Sequence, residues 1–170
     1  MTTDLNAVMP TEQRIWQLLE EVCDPEVPVL SILDLGIVRG VRVEPDGQAH
    51  ITITPTYSGC PAMNTIATDI RLRLLAEGIT ALHIHHQLSP AWTTAWMSEA
   101  GKQKLEAYGI APPKDATGHV LSLFGQDEAI KCPHCHSTRT RLVSQFGSTA
   151  CKALYQCDDC LEPFDYFKCH

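Results

Sequence analysis

The sequence lacks long apolar runs, an excess of basic residues and the marks of a targeting peptide. No apolar run reaches 18 residues, so no segment is a candidate for a membrane-spanning helix. The first residues, MTTDLNAVMPTEQRIW, show neither a basic region followed by an apolar one nor the arginine-rich composition of a transit peptide. Asp and Glu outnumber Lys and Arg by 20 to 13. We therefore expect a cytoplasmic protein that binds neither membrane nor nucleic acid.

The sequence also lacks an ordinary catalytic constellation. No carboxylate pair, no Ser-His-Asp order and no phosphate loop can be recognised. His83, His85 and His86 form a cluster in which His83 and His85 share one face of a predicted strand, at a spacing that could chelate a metal. Two solvated strand histidines are the alternative. The residues alone therefore indicate no catalysed reaction.

Cysteine is scarce in the first 130 residues and abundant afterwards. Six of the eight cysteines lie in the last forty residues. Apolar residues are too few there for folding without a bound metal ion or a covalent cross-link. In a reducing compartment cysteines are more often metal ligands or reactive thiols than disulfides. Charge changes at the same point, from 8 basic and 16 acidic residues up to Ile130 to 5 and 4 afterwards. We predict a domain over 10–110, a linker over 111–130 and a metal-binding module over 131–170.

Two CxxC pairs predict the metal site of this module. Cys132 and Cys135 form the first pair, Cys157 and Cys160 the second, and twenty-one residues separate the pairs. Two such knuckles on facing hairpins complete a tetrahedron around zinc, with Zn–S bonds of about 2.3 Å. Four thiolates leave no open position, so we expect a structural Zn²⁺ in a small β ribbon. Iron on the same sulfurs and a pair of disulfides are the alternatives.

Two further cysteines of the module, Cys151 and Cys169, fall outside the CxxC pairs. Each is a candidate auxiliary ligand that could replace a knuckle cysteine. Three nearby histidines could do the same: His134, His136 and His170. The alternative is that both cysteines are reduced packing residues, because a free cysteine behaves as a small hydrophobe.

Hydrophobic periodicity in the first domain predicts the order helix, strand, strand, helix, strand, helix. An apolar i, i+3, i+4, i+7 stripe marks a helix over 11–23, and β-branched residues around a Pro-Asp-Gly turn mark a hairpin. A second helix begins at Pro61 and stops at Gly78, alternation marks a strand over 79–88, and a last helix is expected over 92–108. The simplest packing is an α+β fold of two layers, with a three-stranded sheet that carries the helices on one face.

Cys60 and two carboxylates are the candidate functional residues of the first domain. Cys60 lies at the start of the second predicted helix, where unpaired N–H groups and the helix dipole stabilise a thiolate. It is a candidate reactive or metal-binding thiol, and a buried packing residue is the alternative. Asp24 and Glu26 flank Pro25 in one rigid loop, where they could bind a metal or raise the local negative potential. The alternative is that Asp24-Pro25 only ends a helix.

Three segments resemble, in order, the iron–sulfur cluster assembly domain shared by SufT-like proteins and the cytosolic iron–sulfur targeting factors. They are DPEVPVLSILDLGIVRGV, TPTYSGCPA and LSPAWTTAWMSEAGKQKLEAYGIAPP. The ribbon, with GSTACKALYQC and EPFDYFKC, is similar to that of the PaaD family, the accessory components of phenylacetyl-CoA epoxidase, a ring 1,2-monooxygenase. The resemblance extends from about Glu12 to Cys169.

This resemblance implies a non-catalytic role in phenylacetate degradation. The protein would help to install an iron–sulfur cluster or a di-iron centre in a partner subunit of the epoxidase, the reductase or the di-iron oxygenase. Asp24, Glu26 and Cys60 match positions that assembly domains use for transient cluster or iron transfer. One thiol cannot hold a cluster, so a second protomer of a homodimer, a small thiol or a client cysteine would complete the site. A structural scaffold of the oxygenase and a thiol enzyme with nucleophile Cys60 are the alternatives.

Overall fold

The computed structural model of the chain describes residues 9–114 and 129–168. Most of the predicted linker, together with Cys169 and His170, lies outside the described residues. The α-helices and strands are, in order, α1 (Glu12–Leu19), β1 (Val38–Val43), β2 (Ala49–Ile53), α2 (Ala62–Ala76), β3 (Leu82–His86), α3 (Glu99–Tyr108), β4 (Ile110–Ala111), β5 (Thr140–Ser144), β6 (Lys152–Cys157) and β7 (Pro163–Phe167), and a short 3₁₀ helix (Thr94–Trp96) precedes α3.

The first sheet has the order β1-β2-β3, with β1 antiparallel and β3 parallel to β2. Alternate residues of β2 are fully buried, so one face of the sheet is covered: Ala49, Ile51 and Ile53. The helices supply the opposing apolar stripes of the same core: Ile15, Leu18 and Leu19 from α1, and Ile66, Ile70 and Leu74 from α2. Each such side chain contributes roughly 1.5–3 kcal/mol by leaving water. The α+β prediction is confirmed. None of the described helices is long and apolar enough to cross a membrane.

Two predicted helices begin or end elsewhere. The first ends at Leu19 because the N–H groups of Glu21 and Val22 bond to carbonyls three residues back, which tightens the last turn. The last begins at Glu99 and not near residue 92, because Ser98 caps it with a side chain that accepts an N–H of its first turn. Trp92 is buried ahead of this cap and donates its indole N–H to the carbonyl oxygen of Leu35, in the loop before β1. It therefore anchors the core and is not part of a helical stripe.

The second sheet is the ribbon, with the order β4-β7-β6-β5. Strand β4 pairs in parallel with β7, so the ribbon sheet includes Ala111, at the start of the predicted linker. The ribbon also packs on the first domain. The ring of Phe167 meets the ring of Trp92 edge-on at 6.2 Å between centroids, and both Phe167 and Cys151 are buried in the core of the first domain. The predicted domain limits stay a prediction.

Candidate functional site

The four knuckle cysteines come together at one end of the ribbon. Their sulfur atoms lie within 4.8 Å of one another, with Cys132 and Cys160 at 3.8 Å and Cys135 and Cys157 at 3.5 Å. Tetrahedral zinc with bonds of about 2.3 Å requires sulfurs about 3.8 Å apart. The donor set therefore fits zinc. In the part of the chain that the structure describes, it is the one group of three or more possible ligands that are so close.

The backbone explains why each CxxC pair forms a knuckle. The residue that follows each pair, His136 or Leu161, has a φ of 63°, the left-handed conformation that closes a tight turn. The N–H of Asp159 also donates to Cys157 Sγ at 3.4 Å. Among the described residues, the buried apolar packing around the knuckles is small and consists of Ala111, Phe164 and two of the cysteines. A metal would supply the stability that this core cannot.

Two of the candidate auxiliary ligands, Cys151 and His136, lie outside the four-cysteine group. Cys151 Sγ lies 3.6 Å from Glu26 Oε2 in the first domain, and His136 Nδ1 lies 3.6 Å from Glu106 Oε1. The position of Cys151 thus differs from the one expected for a replacement knuckle ligand. The candidate Cys169 lies beyond the described residues, so its role stays a prediction.

The loop after α1 is held in shape by Asp24. Its Oδ1 atom accepts the N–H groups of Glu26 and Val27, both at 2.8 Å. The side chain is buried, and this burial raises the pKa of Asp24, although the two N–H bonds and the charge of Lys152 oppose the rise. The main contribution of Asp24 is therefore to fix the loop that carries Glu26.

Cys60 lies at the start of α2 and is half-buried. The N–H of Ala62 and the hydroxyl of Tyr57 donate to its sulfur, as expected at a helix start. Burial and the nearby charges of Glu26 and Asp24 outweigh these bonds and raise the pKa of Cys60. The N–H group at the helix start therefore lowers the pKa of Cys60 as predicted, but it does not offset burial and the neighbouring carboxylates. None of these groups is a histidine that could act as a base.

Three residues of this site were not predicted from the sequence. Tyr57 precedes Cys60 by three residues, the spacing of a turn, and this spacing was the available signal. Burial and the hydrogen bond to Cys60 raise the pKa of Tyr57 to about 12. Cys151 and the buried Lys152 come from the ribbon, and no sequence signal could place either residue beside a loop more than 120 residues earlier. Lys152 is held by Asp165, with 3.2 Å between Nζ and Oδ2.

His83 and His85 lie on the face of the first sheet that is turned away from the helices, whereas His86, the next residue of β3, does not share that face. The strand register places His50 beside His83 and near His85, and the three rings stack. His50 Nδ1 lies 3.0 Å from His85 Nε2, so His85 pairs across strands with His50. The sequence does not predict His50 as a member of this group, because its partners His83 and His85 belong to a strand more than thirty residues later.

Two family models match the chain. Residues 12–77 match the model described as iron-sulfur cluster assembly protein, and residues 116–168 match the PaaD zinc beta ribbon domain. A protein of Escherichia coli (strain K12), provisionally named as one of the subunits of 1,2-phenylacetyl-CoA epoxidase, is 49% identical over 94% of both chains.

Shorter relatives match a little more than half of the chain. The Fe-S protein maturation auxiliary factor of Porphyromonas gingivalis is 35% identical over 59% of this chain and 95% of that protein. The auxiliary factor YitW of Bacillus subtilis is 37% identical over 54% of this chain and 89% of its own length. The crystal structure of a DUF59 domain from Bacillus anthracis has a TM-score of 0.53 and 30% identity, and covers 55% of this chain and 90% of that one.

Proposed function

The chain belongs to the PaaD family, whose Escherichia coli relative is named for 1,2-phenylacetyl-CoA epoxidase, and we propose that it matures an iron centre in a partner subunit of that enzyme. The cargo is an iron–sulfur cluster or iron, and the client is the reductase or the di-iron oxygenase subunit. The names of the shorter relatives support this proposal, because they are Fe-S protein maturation auxiliary factors.

One observation carries the proposal: Cys60 is half-buried, and the charges of Glu26 and Asp24 act on its thiol. Without a cation the raised pKa keeps the thiol protonated, so Cys60 is a poor nucleophile at neutral pH. An arriving iron would displace the proton, because a coordinating thiol is deprotonated. Such a site binds its cargo weakly and releases it, as a transfer protein requires.

The ribbon has a separate task in this proposal. Cys132, Cys135, Cys157 and Cys160 would hold a zinc ion whose four thiolates leave no position for substrate, so the ion stabilises the ribbon. Strand β5 is an edge of the ribbon sheet and carries the exposed apolar side chains of Leu142 and Val143. We propose that this edge docks on the client subunit.

Anaerobic reconstitution with iron and sulfide tests the role of Cys60. We expect the wild-type chain to gain visible charge-transfer absorbance and Cys60→Ala to gain at most a tenth of it. Cys23→Ala is the matched control, because Cys23 is an exposed free cysteine. Zinc should persist in Cys60→Ala and be lost from Cys157→Ala. Equal cluster uptake by the wild type and Cys60→Ala would contradict the proposal.

A second candidate is a scaffold subunit that contributes no metal chemistry, and the exposed ribbon edge favours it. This function predicts that Cys60→Ala leaves the epoxidase fully active, whereas Cys132→Ala abolishes its activity by unfolding the ribbon. Epoxidase activity in cells that carry each variant separates the two functions. A thiol enzyme is the least supported, because the pKa of Cys60 is raised.

A further inference from the structure

Cys151 of the ribbon and Cys60 of the first domain both lie near the carboxylate of Glu26. Cys151 Sγ donates to Glu26 Oε2 at 3.6 Å and accepts from Thr149 Oγ1 at 3.1 Å. The charge of Glu26 also acts on Cys60, and Tyr57 donates a hydrogen bond to Cys60. Two thiols from distant parts of the chain therefore converge on one half-buried group of donors.

The ribbon holds Cys151 firmly in this position. Its side chain is 5% exposed and belongs to the buried core of the first domain. The carbonyl oxygen of Cys151 accepts the N–H of Lys168 at 3.0 Å, just after β7. The neighbouring Lys152 is buried and paired with Asp165, which fixes the start of β6. The placement is thus a product of the ribbon fold.

The spacing of the donors indicates what they could bind. Glu26, Cys60 and Cys151 are not among the described residues whose ligand atoms all lie within 4.8 Å, so at least one pair of them is wider apart. A single tetrahedral ion would need sulfurs about 3.8 Å apart. A cluster tolerates wider spacing, because each of its irons takes its own thiolates.

We propose that Cys60 and Cys151 together hold the transient iron–sulfur cluster, one thiolate from each part of the chain, beside the Glu26 carboxylate. This inference rests on the proposed function and completes its site, since one thiol cannot hold a cluster alone. The second thiolate then comes from the same chain, and no second protomer is needed. Because the ribbon supplies a ligand, its packing on the first domain forms part of the site.

Loading from a glutathione-bound [2Fe–2S] cluster is a simple ligand exchange. Two sulfur–iron bonds to glutathione break, and two bonds to Cys60 and Cys151 form. The two protein thiols give up their protons, which leave with the two glutathiones. No electrons are transferred, and the iron keeps its oxidation state. The loaded chain should therefore retain no more than two glutathiones.

Cluster exchange into the zinc-loaded full chain tests the proposal. We expect Cys60→Ala and Cys151→Ala each to retain at least tenfold less cluster than the wild type after desalting, and Cys23→Ala to equal the wild type. Alanine suits the buried position of residue 151, and zinc content with thermal unfolding verifies that each variant is folded. If Cys60→Ala loses the cluster and folded Cys151→Ala keeps it, this inference is overturned and the proposed function stands. If Cys60→Ala keeps the cluster, both are overturned.

Native mass spectrometry of the loaded wild type gives an answer that depends on no variant. The mass of the complex counts the glutathiones that remain on the cluster. Two or fewer supports two protein thiolates, whereas three shows that Cys60 binds alone and overturns the role of Cys151. A chain that binds no cluster at all contradicts the proposed function itself.

Discussion

Thiol acidity decides what Cys60 can do. A helix start lowers the pKa of a cysteine, and the N–H of Ala62 does act in that direction. Burial and the charge of Glu26 are stronger and raise it. The sequence places Cys60 at the helix start but does not show how deeply it is buried or which carboxylate faces it. Only the folded chain therefore distinguishes a metal-dependent thiolate from a nucleophile.

A glycine fixes the turn against which Trp92 and the backbone of Trp96 pack. Gly36 has a φ of 67°, and an added Cβ would lie 2.2 Å from the carbonyl oxygen of Trp96. Gly78 has a φ of 80° with open space around it. We expect Gly78→Ala to lose about 1–2 kcal/mol through its left-handed backbone, and Gly36→Ala to lose at least about 2 kcal/mol more through the clash. Thermal unfolding measures both, and equal losses would contradict the packing described.

At the scale of elements, the buried carboxylate of Asp34 links α3 to the loop between α1 and β1. Asp34 Oδ2 accepts Lys104 Nζ at 2.6 Å, and Oδ1 accepts the hydroxyl of Ser98, the cap of α3, at 3.0 Å. Burial alone would raise the pKa of Asp34, but these bonds and those from Ser31 outweigh it and hold the pKa below its ordinary value. The ionised form is thus favoured by folding.

The sign of the resulting pH dependence follows from this lowered pKa. The carboxylate stabilises the fold above its unfolded pKa, near 3.8, and this stability is lost as pH falls through the lower folded pKa. We expect Asp34→Asn to reduce the free energy of unfolding by about 1–3 kcal/mol at pH 7 and by much less at pH 2. Urea unfolding at both pH values measures this, with the exposed Asp46→Asn as control. A deficit that is the same at both pH values would contradict the charge-based account.

The elements themselves were largely predictable from local patterns. Each apolar stripe and the Pro-Asp-Gly turn depend on neighbours in sequence, so the type and order of the first five elements agree with prediction, although α1 ends earlier than predicted. The predicted start of α3 is wrong, because Trp92 and Trp96 have helical spacing but lie ahead of the helix, Trp92 buried in the core and Trp96 partly buried beneath Arg39. The capping residue Ser98 indicates the start of α3 more accurately than the spacing of the tryptophans does.

At the scale of the whole molecule, the two parts form one structure around the site. The four-cysteine group could be predicted, since CxxC spacing is a local property. The contact between Cys151 and Glu26, 125 positions apart, could not. It depends on the way that β4, β7 and Phe167 pack the ribbon against the first domain. In the proposed account the ribbon would therefore contribute to the candidate site as well as to docking.

The iron content of the epoxidase subunits tests the central claim most directly. The subunits would be purified from cells that contain either the wild-type chain or Cys60→Ala. We predict that Cys60→Ala leaves one subunit, the client, with at most a tenth of its iron, while the zinc of the variant itself is unchanged. Full iron content in every subunit beside a zinc-loaded Cys60→Ala chain would contradict a role in maturation.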